Sequence, residues 1–148
     1  MKISTKGRYG LRILLDLALN SGDKLRLIRD IARSQQISEK YISRLIIDLR
    51  RAGMVKSVRG SKGGYELAQT PQSITLLDVV EVMEGPLSIV DCVCEPGRCS
   101  RNKMCVTRGI WQNLNSEFRE SMRKVTLQDI VERYQQQDNT SGNWDYCI

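Results

Sequence analysis

Apolar residues recur at three- and four-residue spacing in three stretches of the first half of the chain. This spacing predicts three amphipathic helices. The first spans about Thr5–Asn20, the second is shorter and ends near Gln35, and the third begins after Ser38, whose side chain is suited to cap it. Gly53 follows the third helix as a stop signal. The apolar face of this third helix consists of Ile42, Leu45, Ile46 and Leu49.

A β-hairpin is predicted directly after these helices. The stretches Met54–Val58 and Tyr65–Leu67 alternate in polarity, and they flank the turn Arg59–Gly64, which contains three glycines. Alternation on both sides of a glycine-rich turn is typical of a hairpin. A short helix is then expected from Thr75 to Met83.

The second half begins with residues 87–105, where neither a helical nor a strand period is present. A long amphipathic helix is predicted from about Met104 to Lys124, followed by a short final helix capped by Thr126 and a polar tail from residue 135. The apolar stripe of the long helix comprises Ile110, Trp111, Leu114, Phe118 and Met122. The expected fold class is mainly α with a small β-hairpin.

Two short helices joined by a tight turn and followed by a basic hairpin are typical of winged helix-turn-helix proteins. Burial of the apolar face of the third helix leaves Lys40, Ser43 and Arg44 facing outwards, where a DNA major groove would lie. Lys and Arg can bond guanine edges, and Ser can bond bases or phosphate. Arg50 and Arg51, near the far end of the helix, are better suited to phosphate.

The predicted hairpin places Arg59 and Lys62 at its tip, where they can reach a phosphate or a narrow minor groove. Charge supports the same interpretation. Residues 1–70 hold 15 Lys/Arg and 6 Asp/Glu, a net charge of +9, whereas residues 71–148 hold 8 and 11, a net charge of −3. Ordinary solvated charges are the alternative, but the whole arrangement favours double-stranded DNA as the partner.

Several classes of protein are disfavoured. The chain contains no His, no phosphate-binding loop and no paired carboxylates, so an enzyme is not expected. No run of 18 apolar residues is available to span a membrane. The first residues lack the apolar stretch of a signal peptide, and the expected location is the cytoplasm.

Four of the five cysteines lie within fourteen positions: Cys92, Cys94, Cys99 and Cys105. Clustered thiols in a reducing compartment usually bind a metal or an iron–sulfur cluster, and the spacing does not separate zinc from a cluster. Neighbouring Arg98, Arg101 and Lys103 would offset thiolate charge. The alternative is a redox switch built from free thiols.

Three segments carry a family resemblance: Met1–Tyr9, Ile37–Tyr41 and Ser57–Tyr65, together with the junction Cys105–Trp111. They resemble the IscR family of winged helix-turn-helix iron–sulfur cluster regulators, whose relatives include NsrR and CymR. The similarity covers about residues 1–135.

The resemblance implies a homodimer whose long helices cross, with an iron–sulfur cluster bound by Cys92, Cys99 and Cys105 in each subunit. The expected group is [2Fe–2S], with [4Fe–4S] as the alternative. By position, the residues that match the family's base-reading or groove-reading sites are Lys40, Ser43, Arg44 and Arg59. The implied function is a regulator, expected to be a repressor, of iron–sulfur cluster biogenesis genes, with an iron–sulfur scaffold protein as a further partner.

The implied organisation is a DNA-binding domain at 1–85, a cysteine-rich loop at 86–105, a dimerisation helix and final short helix at 104–134, and a polar tail at 135–148.

This chain departs from the family pattern at the remaining ligand. The family's histidine after the last cysteine is replaced by Arg108, and the acidic residue used by NsrR-type sensors is replaced by Arg8. The leading hypothesis is that Cys94, or a residue outside the loop, supplies the fourth ligand, and Cys147 looks dispensable. The alternative function is a cluster-free, CymR-like regulator that responds to cysteine oxidation or to a partner protein.

Overall fold

The computed structural model describes residues 3–22 and 25–140 of the 148-residue chain. These residues form seven α-helices and a two-stranded antiparallel sheet. The helices are α1 (Thr5–Leu19), α2 (Ile28–Gln35), α3 (Glu39–Arg51), α4 (Leu76–Glu84), α5 (Asp91–Cys94), α6 (Arg108–Arg123) and α7 (Leu127–Thr140), and the strands are β1 (Val55–Val58) and β2 (Gly64–Leu67).

The first three helices form where the apolar spacing predicts them, and side-chain caps explain where α1 and α3 begin. Ser4 Oγ accepts the backbone N–H of Lys6 at 3.1 Å, and Ser38 Oγ accepts that of Tyr41 at 3.3 Å. Both bonds satisfy a free donor of a helix amino terminus. The four predicted apolar residues of α3 are at most 1% exposed and pack against α1 in the main core. The predicted cap and apolar face of α3 are confirmed.

The last two long helices are attached to the same core by a short stretch of backbone pairing. Leu76 N–H donates to the Val125 carbonyl at 2.8 Å, and Leu127 N–H donates to the Ile74 carbonyl at 2.8 Å. Thr126 and Asp129 then cap α7. Leu127 and Val131 are buried in the main core, so α7 packs beside α1. The final helix therefore contributes to the core of the winged-helix unit.

The structure corrects three boundaries. Residues 87–105 are not featureless, because they contain α5 and two short 3₁₀ turns at Pro96–Arg98 and Asn102–Met104. The long helix begins at Arg108 and not near Met104, since Cys105 has an extended backbone.

The final helix is not short either, because it runs to Thr140, beyond the expected start of the polar tail. Its last turns lack an apolar stripe, and glutamines, which are good helix formers, extend it. Trp144, Tyr146 and Cys147 lie outside the described residues. Within 3–22 and 25–140, none of the helices has both the length and the apolar composition that crossing a bilayer requires.

Candidate nucleic-acid interface and cysteine segment

The turn between α2 and α3 fixes the angle of the third helix. Gln36 adopts a left-handed backbone conformation with φ 54°, which ends α2 in a single residue. The N–H of the next residue, Ile37, donates to the Ala32 carbonyl at 3.1 Å, and the Ile37 side chain is buried. Because this turn is closed by both a backbone bond and an apolar anchor, α3 has a defined orientation relative to α2.

The outer face of α3 presents the cations predicted from the sequence. Lys40, Arg44 and Arg50 are exposed, and Arg51 is exposed beside Asp48, with 3.8 Å between its Nη1 and the carboxylate. Ser43 differs, because it is only partly exposed and its hydroxyl donates to the Glu39 carbonyl at 2.8 Å. In this rotamer the Ser43 oxygen remains available as an acceptor, so it can take a bond from a base amino group but does not donate to phosphate.

The hairpin presents the two remaining predicted residues. Arg59 and Lys62 are both exposed in the turn between β1 and β2. The turn needs glycine for steric reasons, since Gly60 has φ +121° and a β-carbon on Gly63 would collide with the Val58 carbonyl oxygen. The hairpin, called the wing below, therefore holds two cations on a tightly folded backbone.

A buried carboxylate attaches the wing to the helices. Asp16 on α1 is 3% exposed, and its two oxygens accept Arg26 Nε at 2.9 Å and Nη2 at 3.1 Å. Ser34 on α2 donates to the same carboxylate. The backbone of Arg26 exchanges two hydrogen bonds with Tyr65 in β2, at 3.0 and 2.8 Å. One side chain thus links α1, α2 and the wing, and sets how the wing lies beside α3.

Sequence reasoning did not find the pair Asp16–Arg26. Both residues look like ordinary surface charges when composition alone is considered. The signal that was available is position, because Asp16 lies on the same helical face as the core residues Ile13 and Leu17. An acid on an apolar face is a buried acid that needs a partner.

The cysteine segment, residues 87–107, lies beside α6. Cys92 and Cys94 are on α5, Cys99 follows the first 3₁₀ turn, and Cys105 precedes α6. Cys94 is exposed, and the other three are partly exposed. Within the described residues, no three Cys, Asp or Glu side chains are arranged to share a metal ion. The structure therefore places the predicted ligands in one segment without bringing them to a common point.

The cations near the cysteines have different roles. Arg98, which was expected to offset thiolate charge, instead pairs with Asp91 at 3.2 Å and with Glu95 at 2.6 Å. Carboxylates therefore neutralise its charge. Arg101 acts on Cys105 as expected, since its charge is one of the influences that stabilise the Cys105 thiolate.

Cys105 is the thiol whose surroundings favour the thiolate. A hydrogen bond with Thr107 Oγ1 at 3.3 Å lowers the pKa of Cys105 below its ordinary value. Desolvation opposes this effect by raising the pKa, and the backbone N–H groups of Arg108 and Thr107 lower it further. These N–H groups belong to the amino end of α6, where helix geometry leaves donors unsatisfied.

We expect Cys105 in the metal-free protein to react with iodoacetamide at a lower pH than a cysteine in an unstructured peptide does. The reason is that alkylation follows the thiolate fraction, and a lowered pKa shifts that fraction to lower pH. Peptide mapping of the alkylated protein across a pH series gives the midpoint for this residue. Thr107→Val should move the midpoint upwards, and a midpoint equal to that of the peptide thiol would contradict the assignment.

Two side chains of α6 connect the start of the cysteine segment to α6 itself and to α4. Asn115 is buried, and its Oδ1 accepts the Ile89 N–H at 3.0 Å. Arg119 donates to the Leu87 carbonyl at 3.2 Å and forms a bidentate pair with Glu81 on α4. Desolvation raises the pKa of Glu81, but the bonds from Arg119 and Leu87 outweigh it and lower that pKa. Since α4 packs on α1 and α3, the start of the segment is linked to α3, the helix that carries the exposed cations.

Arg108, which stands in the position of the family's histidine, has a distinctive environment. Its Nε is buried and lacks a hydrogen-bond partner among the described residues. A guanidinium N–H is a donor and cannot ligate a metal. An anionic sulfur acceptor would satisfy it.

The amino-terminal part of α6 carries an uncovered apolar surface. Ile110 is 59% exposed, Trp111 38% and Leu114 44%, and Val106 just before the helix is 91% exposed. The other end of the predicted stripe is covered, because Met122 packs with Leu77, Val80 and Leu87. The stripe is thus divided between the chain's own core and an exposed patch, called the α6 patch below, that consists of Val106, Ile110, Trp111 and Leu114.

Comparison with known proteins shows how these features belong together. The sequence profile of the Rrf2 family, described as iron-dependent transcriptional regulators, matches residues 3–133. The chain belongs to the Rrf2 family. It is a DNA-binding transcriptional regulator, and its family is not an enzymatic one.

Two types of relative are similar to this Rrf2 regulator. CymR of Bacillus subtilis is 38% identical over 88% of this chain and 90% of its own length. Its structure, described as that of the global cysteine regulator, has a TM-score of 0.74 and covers 90% of this chain and 98% of that one. IscR of Cereibacter sphaeroides is 34% identical, over 88% and 87%. The structure of T. potens IscR is 33% identical with a TM-score of 0.73, covering 97% and 94%. The predicted winged-helix fold class is confirmed.

For an Rrf2 regulator with four clustered cysteines, an iron–sulfur cluster is the group to test against the structure. The donors fit in kind, because thiolates bind such clusters, and the Arg108 Nε–H, three positions after Cys105, is a buried donor without a partner among the described residues. The cysteine segment would have to change conformation to bind the group, because no three of these side chains converge within the described residues.

Proposed function

We propose that the chain acts in the cytoplasm as a homodimer that binds a promoter operator and represses transcription. Each subunit presents α3 to a major groove and its wing to the adjacent backbone or minor groove. The observation that carries the proposal is the set of exposed cations on these two elements, held in fixed relative positions by Asp16 and Arg26. In a dimer, the two recognition helices must be about one turn of DNA apart, roughly 34 Å.

The α6 patch is the surface that supports the homodimer. It is apolar and continuous along one side of the helix, and the described residues of the same chain leave it uncovered. Pairing two such helices would bury both patches at once and would fix the spacing of the two winged-helix units. The separation of the recognition helices then depends on the position of α6.

The cysteine segment is the proposed sensor. We assign Cys92, Cys99 and Cys105 as ligands of an iron–sulfur cluster and Cys94 as the fourth, with [2Fe–2S] as the first expectation and [4Fe–4S] as the alternative. When bound, the cluster supplies a redox-active, iron-dependent group, and genes of cluster biogenesis are the expected targets. The surrounding side chains would have separate roles: Arg108 would donate to an anionic sulfur, and Arg101 would stabilise thiolate charge.

Cluster occupancy would be coupled to DNA binding through residues that are already in contact with one another. Closing the segment moves residues 87–89, which Asn115 and Arg119 hold against α6 and α4. Glu81 carries that displacement to α4, which packs on α1 and α3. Cluster occupancy would thereby change the population of dimers whose recognition helices have the operator spacing.

The composition of anaerobically purified protein tests the sensor. The account predicts brown protein with iron and sulfide in matched amounts, and a visible absorption band that is lost in Cys92→Ala, Cys99→Ala and Cys105→Ala. Cys147→Ala is the matched control and should keep the band. Cys94→Ala should change the spectrum or the stability of the cluster, and an unchanged spectrum would remove Cys94 as a ligand. Colourless protein with stoichiometric zinc would contradict the proposal.

A second candidate function is supported by Cys105. Its lowered pKa and its partial exposure suit a thiol that is oxidised directly, and the described cysteines do not converge. The chain would then act without a cluster, as a regulator that responds to thiol oxidation or to a partner protein. Full operator binding by metal-free protein, lost on peroxide treatment and retained by Cys105→Ser under peroxide, would favour this function over the first.

A further inference from the structure

An apolar side chain lies in the middle of the cationic face of α3. Ile47 is 47% exposed, whereas the four core residues of the same helix are at most 1% exposed. At about 100° per residue, Ile47 lies roughly 150° away from the centre of that buried face. The side chain therefore points away from the chain's own core, on the side that carries the predicted DNA contacts.

The helical neighbours of Ile47 are all groups suited to nucleic acid. Ser43 and Arg44 precede it by one turn, and Arg51 follows it by one turn. Lys40 lies on the same line two turns earlier, about 10 Å along the helix axis. Ile47 is thus surrounded by the residues that are expected to face the groove. No other large aliphatic side chain of α3 is exposed.

We propose that Ile47 determines sequence specificity by contacting the 5-methyl group of a thymine in the major groove. This inference rests on the proposed binding of DNA by α3. Among the groups that base pairs present in the major groove, the thymine methyl is the apolar one, and aliphatic side chains contact it. A separation of about 10 Å from Lys40 corresponds to about three base-pair steps, so this thymine belongs to a different base pair from the one that Lys40 reaches.

Replacing thymine by deoxyuridine tests the contact, because uracil lacks only the methyl group and keeps the same pairing. An operator duplex is first selected from a random pool by the wild-type protein. Each symmetric pair of thymines in it is then replaced by deoxyuridine, and affinity is measured by fluorescence anisotropy. Deoxyuridine at one of these symmetric pairs should weaken wild-type binding by about tenfold, because a methyl contact is then lost in both half-sites.

The Ile47→Ala protein supplies the decisive comparison. It should bind the thymine duplex about tenfold more weakly than wild type, and deoxyuridine at the same positions should cost it no further affinity. Ile47→Thr, which keeps the branched β-carbon but shortens the apolar surface, should be intermediate. The exposed position predicts unchanged thermal unfolding for both variants.

Val58→Ala is the matched control. Val58 is also an exposed apolar residue, 43% exposed, but it lies on the wing. Its replacement should leave the effect of deoxyuridine at the Ile47 positions intact. Equal sensitivity of wild type and Ile47→Ala to every deoxyuridine would overturn the role of Ile47 while leaving operator binding in place. Recovery of no bound duplex by the wild type would contradict operator binding itself, and the two failures are therefore distinguishable.

Discussion

Replacing Asp16 by Ala is expected to lower the free energy of unfolding by about 3 to 5 kcal/mol. Asp16 is 3% exposed, and its carboxylate accepts two bonds from Arg26 and one from Ser34. Removing the carboxylate leaves a partly buried guanidinium without its counter-charge, and this cost exceeds that of losing a surface pair. Urea denaturation at a fixed subunit concentration gives the value, because the stability of a dimer depends on concentration.

Asp48→Ala is the matched control for this prediction. Asp48 is also an acid on a core helix with an arginine partner, but it is partly exposed, and the distance to Arg51 is 3.8 Å. Its removal should change the unfolding free energy by no more than about 0.5 kcal/mol. Similar losses in the two variants would show that the buried Asp16–Arg26 pair stabilises the fold no more than an exposed ion pair does.

Neutralising Lys40, Arg44 and Arg59 together, each to Gln, is expected to lower operator affinity by about a thousandfold. All three side chains are exposed, and they lie on the two elements that are proposed to contact DNA. Since a dimer presents each of them twice, six charged contacts are lost at once. Anisotropy titrations in a series of salt concentrations measure the effect, and the slope of log affinity against log salt should become shallower.

A variant with the same loss of charge separates the interface from net charge. Arg123→Gln, Lys124→Gln and Arg133→Gln remove three exposed cations from α6, its C-terminal cap and α7. This protein should keep its affinity within about threefold, because charges that do not contact phosphates act only through screened, long-range attraction. An equal loss in both triple variants would mean that overall charge, and not α3 with the wing, holds the DNA.

The helix-turn-helix and the wing were predictable because local sequence signals specify them. Ser38 caps α3, a 3.6-residue period defines its core face, and the glycines of the wing turn are required by sterics. Each of these signals involves residues close together in the chain. The exposure of Lys40 and Arg44 followed from the same period, and that of Arg59 followed from its place in the wing turn, so the cationic face could also be anticipated.

Contacts between separate elements were not predictable from the pattern. Asp16 on α1 pairs with Arg26 in the connection that precedes α2, and Arg119 pairs with Glu81, 38 positions away in the chain. The start of α6 was misplaced because Met104 and Cys105 continue an apolar pattern, while the backbone of Cys105 is extended. The geometry of the cysteine segment could not be predicted from the sequence either, because the spacing of the thiols does not determine whether the ligands converge.

Footprinting of one anaerobic preparation, before and after iron is removed with a chelator, tests the central claim most directly. The account predicts two protected half-sites about one helical turn apart, and a change in affinity or in the promoters protected when the cluster is lost. Restoring iron and sulfide should restore the first pattern. Identical footprints and affinities in both states, from protein shown to have held the cluster, would contradict the claim that the cysteine segment controls the binding of DNA by α3.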